Sequence, residues 1–216
     1  PEFQMNQIAL PQSPQLSNYR YAVQLGNFDR YFLNTVIVTL SVVAVVIACA
    51  FVVGYFIARY RFPGRQFVFL LFLSGLLIPV HALMVPIFLQ FRSIGLLDTR
   101  LGLILAVSAT NMSIAVFLFE SYVHQIPRSL DEAAYIDGAS TRWVLSRVVF
   151  PLSKPIAFTA SLLCFISAWN EFPLALVLIR TESKGTLPIG LTNFYGQYSI
   201  RVTPLLAALV LVTLPL

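Results

Sequence analysis

The sequence predicts an all-α, polytopic transmembrane helical bundle, and three observations carry that prediction. Charged residues make up only 11% of the 216-residue chain against 58% apolar ones, too few to clothe a soluble surface of this size. The charges are gathered into short groups with long uncharged runs between them, and about 18 apolar residues suffice to cross a hydrocarbon core roughly 30 Å thick. The basic residues, which give a net charge of +5, stand at the ends of these runs, where Lys and Arg flank membrane spans. Membrane lipid is therefore an expected partner and nucleic acid is not.

The first span is expected at about 31–58, an uncharged run between Arg30 and Arg59. Arg59, Arg61 and Arg65 then crowd a short loop in which Pro63-Gly64 marks a turn. The second run, 66–91, contains Pro79, His81 and Pro86, so it reads either as one bent span or as a shorter span followed by a surface helix. A third span at 101–123 carries Ser108, Thr110, Asn111 and Ser113, and a fourth at 155–179 carries the ionisable Glu171. A fifth apolar run, 202–216, is too short for a complete span. Cys49 and Cys164 each sit in an apolar run without metal-ligand spacing and read as small packing residues, and no metal site is expected.

Counting spans puts the loop at 59–65 and the segment 120–154 on one side, with seven Lys/Arg, and the remaining loops on the other, also with seven. Because the first seven fall in two loops and the others in three, the positive-inside rule places the first side weakly toward the cytoplasm.

The segment 125–151 is the long polar stretch bounded by full spans, and it has internal punctuation. Ser129 followed by Glu132 fits a capping box, Gly138 suits a helix end that needs positive φ, Ser140 or Thr141 can cap a second helix, and Pro151 would end or bend it. A short helix lying across the membrane face is predicted. Ala133 and Ala134 give it a low profile that lets a partner approach closely.

Here the sequence resembles a family. Glu132-Ala133-Ala134, Asp137-Gly138-Ala139, Pro151 and Pro155 are similar to the EAA loop of ABC importer permeases. Asn34, Arg61-Phe62-Pro63-Gly64-Arg65, Pro79, Pro86, Gly95-Leu96-Leu97-Asp98-Thr99, Trp169-Asn170-Glu171-Phe172 and Thr186-Leu187-Pro188 extend the likeness to the maltose-type branch, which imports oligosaccharides and related solutes. Phe150-Pro151 departs from the usual Leu-Pro. The resemblance implies the type I ABC importer permease fold. It further implies that the 125–151 loop is cytoplasmic, with Glu132, Ala133, Ala134, Asp137, Gly138 and Pro151 coupling the chain to an ATPase subunit.

A dimer of ATP-binding cassette ATPases, a second homologous permease and an extracytoplasmic solute-binding protein are the implied partners. The location is the bacterial or archaeal cytoplasmic (inner) membrane, crossed several times. The family pattern has an earlier span and continues beyond Pro215, so the chain is expected to be a fragment lacking both ends, with Pro1-Glu2-Phe3 read as a joining remnant.

Asn111, Trp169, Asn170 and Glu171 are the candidate substrate-path residues. Each has a plainer reading: interhelical hydrogen bonding for Asn111, packing or interfacial anchoring for Trp169 and Asn170, and an interfacial or buried-pair position for Glu171. His81 lacks a second ligand and reads as interfacial or packing. An intramembrane enzyme is disfavoured because neither GxSxG nor HExxH occurs. An ion-coupled secondary transporter needs no ATPase docking helix and often shows inverted repeats, and none is evident here. The chain also lacks GxxxxGK[ST], so no catalytic residue and no cofactor is expected in it; ATP and Mg²⁺ would be bound by the partner ATPase.

Overall fold

A computed structural model describes residues 17–25, 27–194 and 202–215. The reading of Pro1–Phe3, Arg201 and the final Leu216 lie outside the described residues. Every regular element among the described residues is helical, as chains in hydrocarbon require when no closed barrel forms to satisfy their backbone groups.

After a short helix α1 (Ser17–Leu25), the longest element is α2 (Phe28–Arg59), uninterrupted for 32 residues and so about 48 Å long at 1.5 Å per residue. The next run folds as two helices, α3 (Arg65–Ser74) and α4 (Val80–Ser93). Pro79 is the cause: its ring fixes an extended entry (φ −67°, ψ 129°) and disfavours helix at Ile78 before it. Pro86, by contrast, is absorbed inside α4.

α5 (Arg100–Gln125) follows, capped by Thr99, whose hydroxyl accepts the Gly102 N–H at 2.9 Å. Next come α6 (Arg128–Ile136), α7 (Thr141–Leu152) and α8 (Lys154–Trp169). The expected fourth span is likewise broken: 155–179 holds most of α8, a break at 170–172, and α9 (Pro173–Leu178). Pro173 has no N–H to continue the ladder. α10 (Leu187–Gly190) and α11 (Val202–Thr213) complete the described elements.

Two helices, α2 and α5, are each long and apolar enough to cross a membrane, and the pair α7–α8, bent by 76°, is a third such element if counted as one. α2 and α5 form the centre of the bundle. Val38, Val42, Val46, Ala50, Gly54 and Ala58 recur every fourth residue along α2 and are buried, meeting Leu103, Val107, Val116, Phe119 and Val123 of α5. Small residues let the backbones close up. A Cβ on Gly54 would lie 2.7 Å from the Phe119 Cβ and 2.9 Å from the Glu120 N, so glycine is required there. Cys164 is buried among these helices, whereas Cys49 faces outward from α2, against its reading as a packing residue, because it lies off the four-residue row that meets α5.

The chain order gives the bundle two distinct ends. The turn 60–64 and the segment 126–153 lie at one; the turn 94–99 and the loop 170–194 lie at the other, joined by the Asp98 N–H bond to the Leu178 carbonyl at 2.8 Å.

Candidate functional site

The segment singled out by sequence begins with two extended residues, Ile126 and Pro127, which turn the chain out of α5 and into α6. Pro127 occupies the N-cap, so Ser129 is already helical and the Ser129–Glu132 capping box does not form. That expectation placed the helix start two residues too late, because it overlooked proline's ability to set the entry by itself. Asp131 in the first turn complements the helix dipole. Gly138 takes φ +84°, closing α6 in the left-handed conformation that glycine alone adopts without strain. Of the two capping candidates for α7, Ser140 does the work: its Oγ accepts the Trp143 N–H at 3.4 Å.

α7 contains a π-helical stretch, Val144–Val149, in which Phe150 bonds back to Leu145. Pro151 supplies a physical reason, since its ring would clash with the carbonyl four residues earlier in a regular α-helix. The chain then bends at Ser153 and enters α8 through Pro155.

α6 is fixed to the bundle by a polar clamp that the sequence did not reveal. Arg59, the last residue of α2, places Nε 2.8 Å from Asp131 Oδ2, with the two side chains 5% and 8% exposed. Its Nη1 donates to the Ile126 carbonyl at 2.9 Å, while Arg128 Nη2 donates to the Ala58 carbonyl at 3.2 Å. Arg128 of α6 thus caps the C-terminus of α2, and Arg59 of α2 caps the C-terminus of α5, cations meeting free carbonyls in both places. The clamp is incomplete as a hydrogen-bond network: the Arg59 Nε approach to Asp131 is an ion pair without hydrogen-bond alignment, and Arg59 Nη2 and Asp131 Oδ1 are buried without partners. Burial raises the Asp131 carboxyl above its ordinary value, against the opposing pull of Arg59 and Arg128.

With Asp131 turned inward and Ala134 packed against the core, the opposite face of α6 is presented outward. Glu132, Ala133, Asp137 and Gly138 are exposed, and Ile136 stands out at 87% exposure, a residue the sequence reading passed over. An isolated isoleucine between polar neighbours just before a helix-ending glycine was the available signal. Pro151 is exposed on the same end. Beside the helix, Tyr55, Arg59, Tyr60, Arg128, Glu132 and Tyr135 contribute to the lining of a hollow of about 300 Å³.

The remaining candidates are dispersed. Asn111 is buried and donates to the Val107 carbonyl of its own helix at 2.9 Å; Thr110 does the same, and Ser108 Oγ has no partner. Trp169 is 2% exposed, with Phe165 stacked on its ring and its Nε1 bonded to the Val212 carbonyl at 3.0 Å. Asn170 is exposed and bonded to the Ile166 carbonyl; Glu171 Oε1 accepts the Leu174 N–H at 2.8 Å, closing the start of α9. His81 is exposed.

At this second end the loop 170–194 is seated by other residues. Asn34 Nδ2 donates to the carbonyls of Ser183 (3.0 Å) and Gly185 (2.8 Å), and Thr35 Oγ1 accepts the Leu187 N–H at 2.8 Å. Gly185 and Gly190 lie so close to the Tyr31 ring that an added Cβ would come within 2.6 Å of it in each case. Asp98 adds a clasp: its Oδ1 accepts the Arg180 and Thr181 N–H groups at 3.0 and 2.9 Å, and its Oδ2 accepts the Thr181 hydroxyl and Lys184 Nζ at 2.6 and 3.1 Å. The Thr181 hydroxyl and these further donors hold the Asp98 carboxyl well below the usual carboxylate range.

Apolar helices of spanning length, carrying at one end an exposed cross-helix anchored to the bundle, define a helical membrane protein. Residues 50–216 match the family model described as "Binding-protein-dependent transport system inner membrane component", and the chain belongs to that family of ABC transporter permeases.

It is 33% identical over 210 residues to the diacetylchitobiose uptake system permease protein NgcG of Streptomyces coelicolor, covering 96% of this chain and 70% of that protein. It is also 33% identical to the arabinooligosaccharides transport system permease protein AraQ of Halalkalibacterium halodurans, covering 100% of this chain and 78% of the relative. A crystal structure of a bacterial ABC transporter involved in the import of the acidic polysaccharide alginate contains a chain that superposes with a TM-score of 0.79 at 28% identity, covering 94% of this chain and 75% of that one.

Proposed function

We propose that this permease carries sugars, oligosaccharides or closely related solutes across the cytoplasmic membrane as a multi-pass subunit, driven by separate ATPase subunits that grip α6. The substrate class is supported by the relatives named for diacetylchitobiose and arabinooligosaccharide uptake, which align over at least 96% of the chain. The coupling role rests on one observation: α6 is pinned to the bundle through Asp131 while Glu132, Ala133 and Ile136 face outward.

Glu132 offers a charged contact, Ala133 a flat surface and Ile136 an apolar knob for a groove in the ATPase. ATP and Mg²⁺ bind that partner. The end carrying α6 faces the cytoplasm, and the end carrying the loop 170–194 faces the solute-binding protein. α3 and α4 have no fully buried residue, and Phe67 and Leu77 are 71% and 84% exposed, leaving an apolar face for lipid and for a second homologous permease. Alternating access follows when closure of the ATPase dimer displaces α6.

The test is ATP hydrolysis and uptake by the complete complex in vesicles, with its binding protein and candidate sugars, comparing native protein with Glu132→Ala and Gly138→Pro. Proline cannot adopt φ +84°, so the second change removes the helix end. Loss of sugar-stimulated hydrolysis in complexes that still assemble is the expected result; unaltered stimulation and uptake would overturn the coupling role.

A further inference from the structure

The covalent connections of α6 are irregular. Toward α5 it is joined by two extended residues, Ile126 and Pro127. Toward α8 it is joined through Gly138, the π-helical stretch and the 76° bend. A further link, made by side chains, runs to a helix distant in sequence. Arg128 and Asp131 tie α6 to the last turn of α2 by one hydrogen bond to the Ala58 carbonyl and one buried ion pair, and Arg59 also donates to the Ile126 carbonyl in the connector.

α2 is a single helix with no proline. Its other end, about 37 Å away from Arg59 at Asn34 by helical rise, holds the loop 170–194 through the Asn34 and Thr35 hydrogen bonds. The same loop is also clasped by Asp98, which belongs to the turn between α4 and α5. A displacement of α2 along or about its axis therefore has to strain one attachment of that loop against the other.

We infer that Arg59 and Asp131 are positioning residues that make α2 a lever, carrying movement of α6 to the loop around Ser183 at the opposite end of the bundle. The inference rests on the coupling role proposed for α6 and adds the route and the destination of the movement. It assigns the loop at 181–187 the task of reporting nucleotide state on the side where solute is delivered.

The test uses the complete complex in vesicles with Cys49→Ser and Cys164→Ser, carrying Ser183→Cys as the labelling site. Ser183 is exposed and only its backbone carbonyl is used by Asn34, so the substitution leaves the seat intact. The rate of modification by a membrane-impermeant maleimide is measured with and without ATP. The lever predicts a several-fold change of rate on ATP binding in the native background. It predicts loss of that change in Arg59→Gln and in Asp131→Asn, with the ATPase subunits still co-purifying.

A change of native size in both variants overturns the lever. Should either variant fail to assemble, Asn34→Ala, which leaves the clamp untouched, takes its place: loss of the ATP response supports the lever, and a native response overturns it. Absence of any ATPase subunit from the purified native complex would instead overturn the coupling role itself, and the lever with it.

Discussion

The two ends of the bundle are both held by an aspartate, and they are held in opposite ways. Asp131 is buried against Arg59, with one carboxylate oxygen left unpartnered. Asp98 is partly exposed and accepts four hydrogen bonds that use both of its oxygens. Taking charges out of water is expensive, and a pair that leaves lone pairs empty recovers little of that expense, so the Asp131 clamp secures position and adds little stability. The Asp98 clasp is satisfied and wet, each contact modest and reversible. Position is fixed at the end proposed to meet the ATPase, and the fastening is lighter where the loop 170–194 is held.

The largest expected effect falls on the buried pair. Asp131→Leu alone should destabilise the detergent-solubilised protein by about 3–5 kcal/mol, because Arg59 is left as an uncompensated buried charge, whereas the double replacement Arg59→Met with Asp131→Leu should recover most of that loss. Thermal unfolding of the four proteins of this cycle measures both numbers. A single substitution as mild as the double one would erase the contrast between the ends.

Next comes the contact that sets the separation of α2 and α5. Gly54→Ala puts a methyl group into the Phe119–Glu120 backbone and should cost about 1–3 kcal/mol by overpacking, seen as a lower unfolding temperature. At the other end, Asn34→Ala leaves the Ser183 and Gly185 carbonyls without their donor, and about 1–3 kcal/mol of local stability should be lost. Faster amide hydrogen exchange across 183–187 would report it, with exchange in α6 unchanged.

The smallest effect is a pH dependence confined to the Asp98 clasp. Its carboxyl is depressed in the folded state, chiefly by the Thr181 hydroxyl, so the unfolded chain takes up the proton first as pH falls. The clasp's contribution is therefore intact above about pH 4, near the unperturbed aspartate value, and is lost progressively as pH drops below it. Limited proteolysis of the loop 180–185 between pH 3 and 7 should show protection failing only at the acid end of that range, and no such step in Asp98→Asn.

Much of this was legible in the sequence, for reasons that differ between residues. The helical class follows from uncharged runs, and Gly138 announced its own backbone conformation because few residues tolerate φ +84°. Asn34 and Asp98 stood within motifs of the resemblance, although nothing local said that both would hold the loop 170–194. The Arg59–Asp131 pair left no trace, since a contact between residues so far apart in the chain has no periodicity to betray it. Arg59 read as one more flanking cation, and Asp131 was overshadowed by Glu132 beside it. The breaks after Ser74 and Trp169 were half visible: Pro79 and Pro173 were there to be seen, but the choice between a kink, as at Pro86, and a full interruption depends on what packs around the ring.

The π-helical stretch Val144–Val149 holds one residue more than an α-helical path through the same place would need. That surplus works as a phase setting. Removing a single residue there would turn the first part of α7 by about 100° relative to its end, one residue's share of a helical turn. The phase of α7 and the seat of α6 on Arg59 could then no longer both be kept. Chain length in this short stretch is thus under a constraint of angle, which residue identity alone would not disclose.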